Sequence, residues 1–266
     1  YSEYKAHFGA VIEYSSSEHT YFTSISAQNY FQQGGTSLLV TRVASGSLTS
    51  ATASVASGSS TSSADTSFVL ETLSEGANQN SSGSVSSDGS LENGTVNNLR
   101  WEVVGTNLNL GTFNLLLRQG DDYNKQKVIL ETHTNLSLDP NSPNYIARRI
   151  GDQVETVAND GTDYIEVTGT YPNRSRYIRV KSVEKKTLNY FNNDGTVKAE
   201  FTASLPQAKS GTFGGAIGTG HSSSITFYEN ISATNTQGLT EDDYTSSISL
   251  LSNADEYQYN VITVPG

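Results

Sequence analysis

The sequence predicts a β-rich α+β fold. A mixed α/β domain formed by both ends of the chain brackets inserted antiparallel β domains of sandwich or barrel type. Three observations carry that prediction. Only 16% of the residues are charged, against roughly 25% in an ordinary soluble domain, and Ser, Thr and Asn fill the gap. These side chains compete for backbone hydrogen bonds and favour turns, strand edges and loops over helix interiors. From Leu99 onward the chain is dense in short β-branched and apolar runs separated by turn signals, whereas α/β character returns towards the two ends. With 266 residues, the chain is long enough for more than one core.

The first part, residues 1–43, reads as α/β. Residues 8–12 form a short apolar run with strand character. Between residues 17 and 33, Tyr21, Phe22, Ile25, Tyr30 and Phe31 fall on one helical stripe. Gly34 and Gly35 then supply the left-handed stop. Residues 38–43, Leu-Leu-Val-Thr-Arg-Val, read as a strand covered on both faces. Residues 44–98 form an insertion of different composition, in which 45–67 and 75–98 are mostly small and polar. Such stretches are expected as exposed loops or hairpins around a single strand at 68–73. Deleting residues 49–63 is accordingly expected to cost little, about 0.6 kcal/mol per doubling of loop length.

Residues 99–212 are expected to form a β-rich domain. Runs at 99–105, 112–118 and 127–134 have the length and composition of strands, with Arg118 to Tyr123 as a hairpin loop. A helix near 143–150 follows, with Ser142 as cap, Pro143 in the first turn, and Tyr145, Ile146 and Ile150 on one face. Four more strands are expected at 164–168, 175–183, 187–191 and 197–203, with turns at Asn159-Asp160-Gly161 and Asn193-Asp194-Gly195. Residues 213–266 rejoin residues 1–43. The glycine-rich stretch 213–220 reads as a flexible connection, Thr240 as the cap of an acid-led helix, and 260–264 as a last strand.

The chemistry implied by these residues is sparse. The net charge of −11, with 16 Lys and Arg, opposes binding to a phosphate backbone. There is no Cys, which removes disulfides, thiolate nucleophiles and Cys-ligated metals. His7, His19, His133 and His221 are isolated, without zinc-ligand spacing. No G-x-S-x-G occurs, and His221 beside Ser222 lacks a positioned acid. The glycine run 214–220 lacks the Lys that a phosphate-binding loop requires. Asp121-Asp122 and Glu241-Asp242-Asp243 lack the alternating spacing of a calcium loop and read as a turn and a helix start. Sequons at Asn80, Asn93, Asn135, Asn173 and Asn230 are unsurprising in a chain this rich in Asn, Ser and Thr. No catalytic, metal or cofactor residue is therefore assigned, and an enzyme is not expected.

One resemblance organises these elements. The succession Leu99-Arg-Trp-Glu-Val-Val, Gly111-Thr-Phe-Asn-Leu-Leu-Leu-Arg118, Val128-Ile-Leu-Glu131, Asn135-Leu-Ser-Leu-Asp139-Pro, Pro143-Asn-Tyr-Ile146 and Ile150-Gly-Asp152 resembles tail sheath proteins of contractile bacteriophages. Tyr30-Phe31-Gln32-Gln33-Gly34-Gly35, Val40-Thr41-Arg42-Val43 and the ending from Tyr244 to Pro265-Gly266 are similar to that family in order and spacing.

The resemblance implies a structural subunit that self-assembles into six-fold rings stacked as a helical sheath. Its partners are the tail tube, baseplate and tail terminator proteins, with no direct nucleic-acid contact and no membrane insertion. It is assembled in the host cytoplasm and resides in the virion tail. There it contracts, without nucleotide hydrolysis, to drive the tube through the host envelope. The chain lacks Met, even at position 1, and is expected to be a piece without the terminal arms that neighbours exchange in that family. The competing expectation is a bacterial or phage surface β-sandwich adhesin that binds glycans or a receptor.

Overall fold

The computed structural model describes residues 1–8, 22–41, 43, 47–58, 65–81, 84–218 and 241–263. Expectations for residues 9–21, 219–240 and 264–266 lie outside the described residues. The fold is α+β and β-rich, with antiparallel sheets that do not close into a barrel. The chain divides into two units. A terminal unit comprises Tyr1–Ser45, Val157–Ile165 and His221–Gly266; a central unit comprises Gly46–Thr156 and Glu166–Gly220.

The central unit holds two open sheets. In the first, β1 (Ser50–Ala56), β2 (Thr66–Glu75) and β8 (Ile178–Val183) pair in that order. In the second the order is β5 (Ile129–Ser137), β4 (Thr112–Gln119), β3 (Leu99–Asn107) and β9 (Ser210–Thr212). Alternation along the strands turns Ala51, Ala53, Val55, Phe68 and Leu70 of the first sheet inward, and Trp101, Val103, Phe113, Leu115 and Leu117 of the second. All ten belong to one hydrophobic cluster. The rings of Phe68 and Phe113 stack between the sheets with centroids 5.5 Å apart. Each fully buried Leu or Phe contributes about 1.5–3 kcal/mol of transfer free energy, so this shared core dominates the unit's stability.

Here the structure corrects two expectations about the insertion. Residues 50–56 are no loop, because Ala51, Ala53 and Val55 occupy the core. Their small side chains give little hydrophobic signal yet fit where two backbones come close. Residues 77–81 and 84–98 carry little regular structure but are tied down. The Asn80 side chain donates to the Ala216 carbonyl (2.9 Å) and accepts from its N–H (2.9 Å), as a strand partner would. Asn98 donates to the Asn80 carbonyl at 3.1 Å, and Ser81, Leu91 and Asn98 are buried.

Nor is the stretch after Thr212 a flexible connection. Phe213 is fully buried, and Gly214 exchanges two hydrogen bonds with Thr52, at 2.8 and 3.0 Å. Residues 206–216 thus run from the edge of β3 to the edge of β1 and join the two sheets. The described residues of 47–98 and 213–218 therefore group with the β-rich part instead of forming a separate insertion and a terminal core.

The helix expected at 143–150 is a single turn, α3 (Ile146–Ile150), preceded by Tyr145. Ser142 is not its cap; its hydroxyl accepts the Asn144 N–H in the turn before it, at 3.2 Å. Gly151 ends the helix at φ +113°, donating to the Ala147 carbonyl at 2.8 Å. Tyr145, Ile146 and Ile150 are buried as the spacing implied, and Arg148 is exposed. The hairpin β6 (Val154–Asn159) and β7 (Asp163–Thr168) turns at Asn159-Asp160-Gly161 as expected. The strands expected at 187–191 and 197–203 reduce to one bridge, Phe191 to Val197, followed by the short helix α4 (Ala199–Thr202).

The terminal unit is mainly helical among its described residues. Residues 2–8 form α1 (Ser2–Phe8), and the rest of the strand expected at 8–12 lies outside the described residues. Its Tyr4 stacks with Tyr1, packs at a tilt against Phe8 and meets the Ser24 hydroxyl at 3.3 Å. α2 (Phe22–Gln32) ends at Gly34, φ +91°. Its stripe is only partly covered, since Ile25 and Phe31 are half-buried and Tyr30 is exposed. Residues 38–41 lie outside any ladder, with Leu38 and Leu39 exposed, because an apolar run becomes a strand only beside a partner. α5 (Glu241–Leu251) leads with three acids, as read, but its Ile248 is exposed. Residues 261–263 likewise form no ladder.

Two expectations follow from this packing. Ile146→Ala and Ile150→Ala should each lose about 2–5 kcal/mol in denaturant titration, whereas Arg148→Ala, whose guanidinium sits 5.2 Å from the Tyr171 ring centre, should lose no more than about 1 kcal/mol. Deleting residues 49–63 removes β1 and should abolish the cooperative unfolding transition, the opposite of the loop expectation.

Candidate functional site

The central unit's most concentrated chemistry is a buried charge cluster. Arg100 on β3 and Arg118 on β4 face each other directly across the ladder, an arrangement that is repulsive by itself. Both are buried, at 2% and 0% exposure. The loop from β4 to β5 places Asp122 over them. Arg118 donates from Nε to Asp122 Oδ2 (2.7 Å) and from its NH2 group to Oδ1 (2.8 Å), a two-point fork. Arg100 donates to Asp122 Oδ1 at 2.9 Å and to the Asp122 carbonyl at 3.0 Å. The Val128 N–H donates to Oδ2 at 3.1 Å, which brings β5 to the same carboxylate. Glu102 accepts from Arg118 (3.1 Å) and Lys127 (2.8 Å), extending the cluster to the surface. Burial holds the Arg100 guanidinium below its ordinary value, with Arg118 adding to that and Asp122 opposing it.

A second polar knot joins β5 to the segment before β8. Glu131 accepts from the Ser175 hydroxyl (2.7 Å) and the Arg176 N–H (2.9 Å), with His133 at 3.1 Å. Burial pushes the Glu131 carboxyl up, but the hydrogen bonds from His133, Ser175 and Arg176 outweigh it and hold the group below the usual range. In the first sheet, Glu71 pairs with Arg179 and, at 2.7 Å, with Lys181, tying β2 to β8.

A shallow groove of about 340 Å³ opens beside Leu110, Ser137, Asp139, Asn189 and Tyr190. Asn189 adopts φ +50° and its N–H donates to Asp139 Oδ2 at 3.1 Å. Tyr190 donates to the Leu108 carbonyl at 2.7 Å. Its lining holds one carboxylate, Asp139, and not the pair of carboxylates that glycosidase-type acid–base catalysis uses.

Among the described residues the one histidine side chain is His133, which belongs to the Glu131 knot; His19, His221 and the His7 side chain lie outside them. Among the described residues no group of three His, Cys, Asp or Glu could hold a metal. Asp121-Asp122 is a hairpin loop as read, but Asp122 is also the buried counter-ion that sequence reasoning missed. The available signal was Arg100 and Arg118 at equivalent positions of two apolar strands. Of the sequons, Asn80 is bound to Ala216, and Asn173 donates to the Gln153 carbonyl at 2.8 Å. Comparison with protein-family models, curated proteins and solved structures gave no match.

Two measurements test these clusters. Asp122→Ala should cost about 3–5 kcal/mol, because it leaves two buried guanidiniums without their counter-ion; thermal and denaturant unfolding would read this. The depressed Glu131 carboxyl stabilises the fold fully above its unfolded value, about 4.3, and that contribution disappears as pH falls through the lower folded value. Glu131→Gln should therefore be less stable than the parent at pH 7, and the gap should close on acidification; a gap constant from pH 7 to pH 2 would contradict the assignment.

Proposed function

We propose that the chain is a structural subunit of a contractile bacteriophage tail sheath, polymerising around the tail tube and shortening to drive it through the host envelope. The observation that carries this reading is the discontinuous organisation. Both ends of the chain belong to one unit, and a sandwich of antiparallel sheets is formed by the residues between them. That is the layout implied by the resemblance of 99–152 and of the two ends to sheath proteins. The central unit also suits a mechanical part. Its sheets share one core and are joined by 206–216, by the Asp122 cluster and by the Glu131 knot, so load would be carried by a block instead of by loops.

In this role the energy of contraction resides in packing between subunits, and the partners are other copies, the tube, the baseplate and the terminator. A second reading, a surface sandwich that binds a glycan, draws on the stacked sheets and on the groove beside Asp139 and Tyr190.

Sedimentation and negative-stain microscopy test the proposal. The chain alone should be a monomer in dilute solution, and a longer chain carrying terminal arms of the kind that sheath proteins exchange should form long tubes of six-fold rings. An arm-bearing chain that never polymerises, yet binds a sugar on a glycan array, would replace the sheath reading with the second one.

A further inference from the structure

The positive charge of this acidic chain is unevenly placed. Eight of its 16 Lys and Arg lie between positions 148 and 186, against a net charge of −11. Arg179, Lys181 and Lys185 pair with Glu71 and Asp65. Arg148, Arg149, Arg174 and Arg176 do not: all four are exposed, and none has an ion pair among the described residues. They also lie close together. The Ile150 carbonyl at the end of α3 accepts the N–H groups of Arg174 and Ser175 at 2.8 and 3.1 Å, joining the two segments that carry them. Arg148 lies over the Tyr171 ring, 5.2 Å from its centre.

The nearby carboxylates are turned elsewhere. Glu131 accepts from Ser175, His133 and the Arg176 backbone. Asp152 accepts the Thr170 and Tyr171 N–H groups at 2.8 and 2.6 Å. Arg and Tyr are the residue types that anchor protein interfaces, since they offer large area and directional donors at modest entropy cost.

We infer that this arginine face is a docking surface for an acidic segment of a second copy of the chain. Complementary charge points to residues 241–263 as the segment. It carries Glu241, Asp242, Asp243, Asp255 and Glu256 and no Lys, Arg or His. Glu241, Asp242, Asp255 and Glu256 are exposed. A contact between two different surfaces of one chain is head-to-tail, and repeats into rings or helical filaments instead of stopping at a symmetric dimer. The inference stands without the sheath reading, because it requires only self-association through these two surfaces.

The test uses the full chain and two charge-reversed variants, Arg174→Glu with Arg176→Glu, and Glu241→Lys with Asp242→Lys, each checked for native circular dichroism and unfolding midpoint. Sedimentation of the concentrated parent should show head-to-tail association in about 20 mM salt that is lost by about 300 mM, where the Debye length falls well below 10 Å. Each variant alone should associate at least about tenfold more weakly. An equimolar mixture should recover association, because one variant keeps the arginines, the other keeps the acids, and the two reversed surfaces also complement each other. Four results would overturn the inference: a parent that stays monomeric in low salt, an arginine variant that associates like the parent, a mixture that stays monomeric, or binding of a nucleic acid to the arginine face in preference to the second copy.

Discussion

The charged face of the second sheet depends on one carboxylate. Arg100 and Arg118 occupy a cross-strand pair where two positive charges face each other under cover. Removing them from water is costly, and their mutual repulsion adds to that cost. Asp122 makes the arrangement tenable by accepting from both guanidiniums and from the Val128 N–H. One side chain therefore fixes the register of β3 against β4, the path of the loop between them and β5, and the start of β5. The hydrophobic effect collapses the sandwich but is indifferent to such details, and the charge cluster supplies the direction.

The two sheets are held together by different means on different sides. Inside, the Phe68–Phe113 stack and the ring of Leu, Val and Ile residues form a single core. At one edge, residues 206–216 cross from β3 to β1 through backbone hydrogen bonds. At another, Glu131 collects donors from Ser175 and Arg176 ahead of β8. Polar groups that would be penalised if buried alone are in each case satisfied by a neighbour from the other layer. Such double tethering favours motion of the unit as a whole over shear between its sheets.

Legibility in the sequence followed bulk and periodicity. The strands at 68–73, 99–105 and 112–118 announce themselves by large apolar residues, and so does the buried face of Tyr145, Ile146 and Ile150. β1 does not, because Ala51 and Ala53 fill the core with side chains that score as neutral. The Asn-rich stretch 77–98 reads as loose because it lacks apolar periodicity. Its described residues are held by amide side chains, Asn80 and Asn98, that imitate backbone partners 136 and 18 residues away in sequence. Residues 38–41 show the converse, apolar residues without a ladder. The candidate surfaces are harder to read. Asp122 looks like any turn acid, and the clustering of Arg148 with Arg174 rests on hydrogen bonds that the Arg174 and Ser175 N–H groups donate to the Ile150 carbonyl, which no local pattern encodes.

The central structural claim is that Asp122 closes the second sheet into one cooperative block. Native-state hydrogen exchange on the parent chain addresses it at single residues. The Val128 amide, held by Asp122, should exchange only through the same global opening as the amides of β3 and β4. Rapid exchange of Val128 by local fraying, while β3 and β4 stayed protected, would mean that the carboxylate decorates the sheet and does not close it.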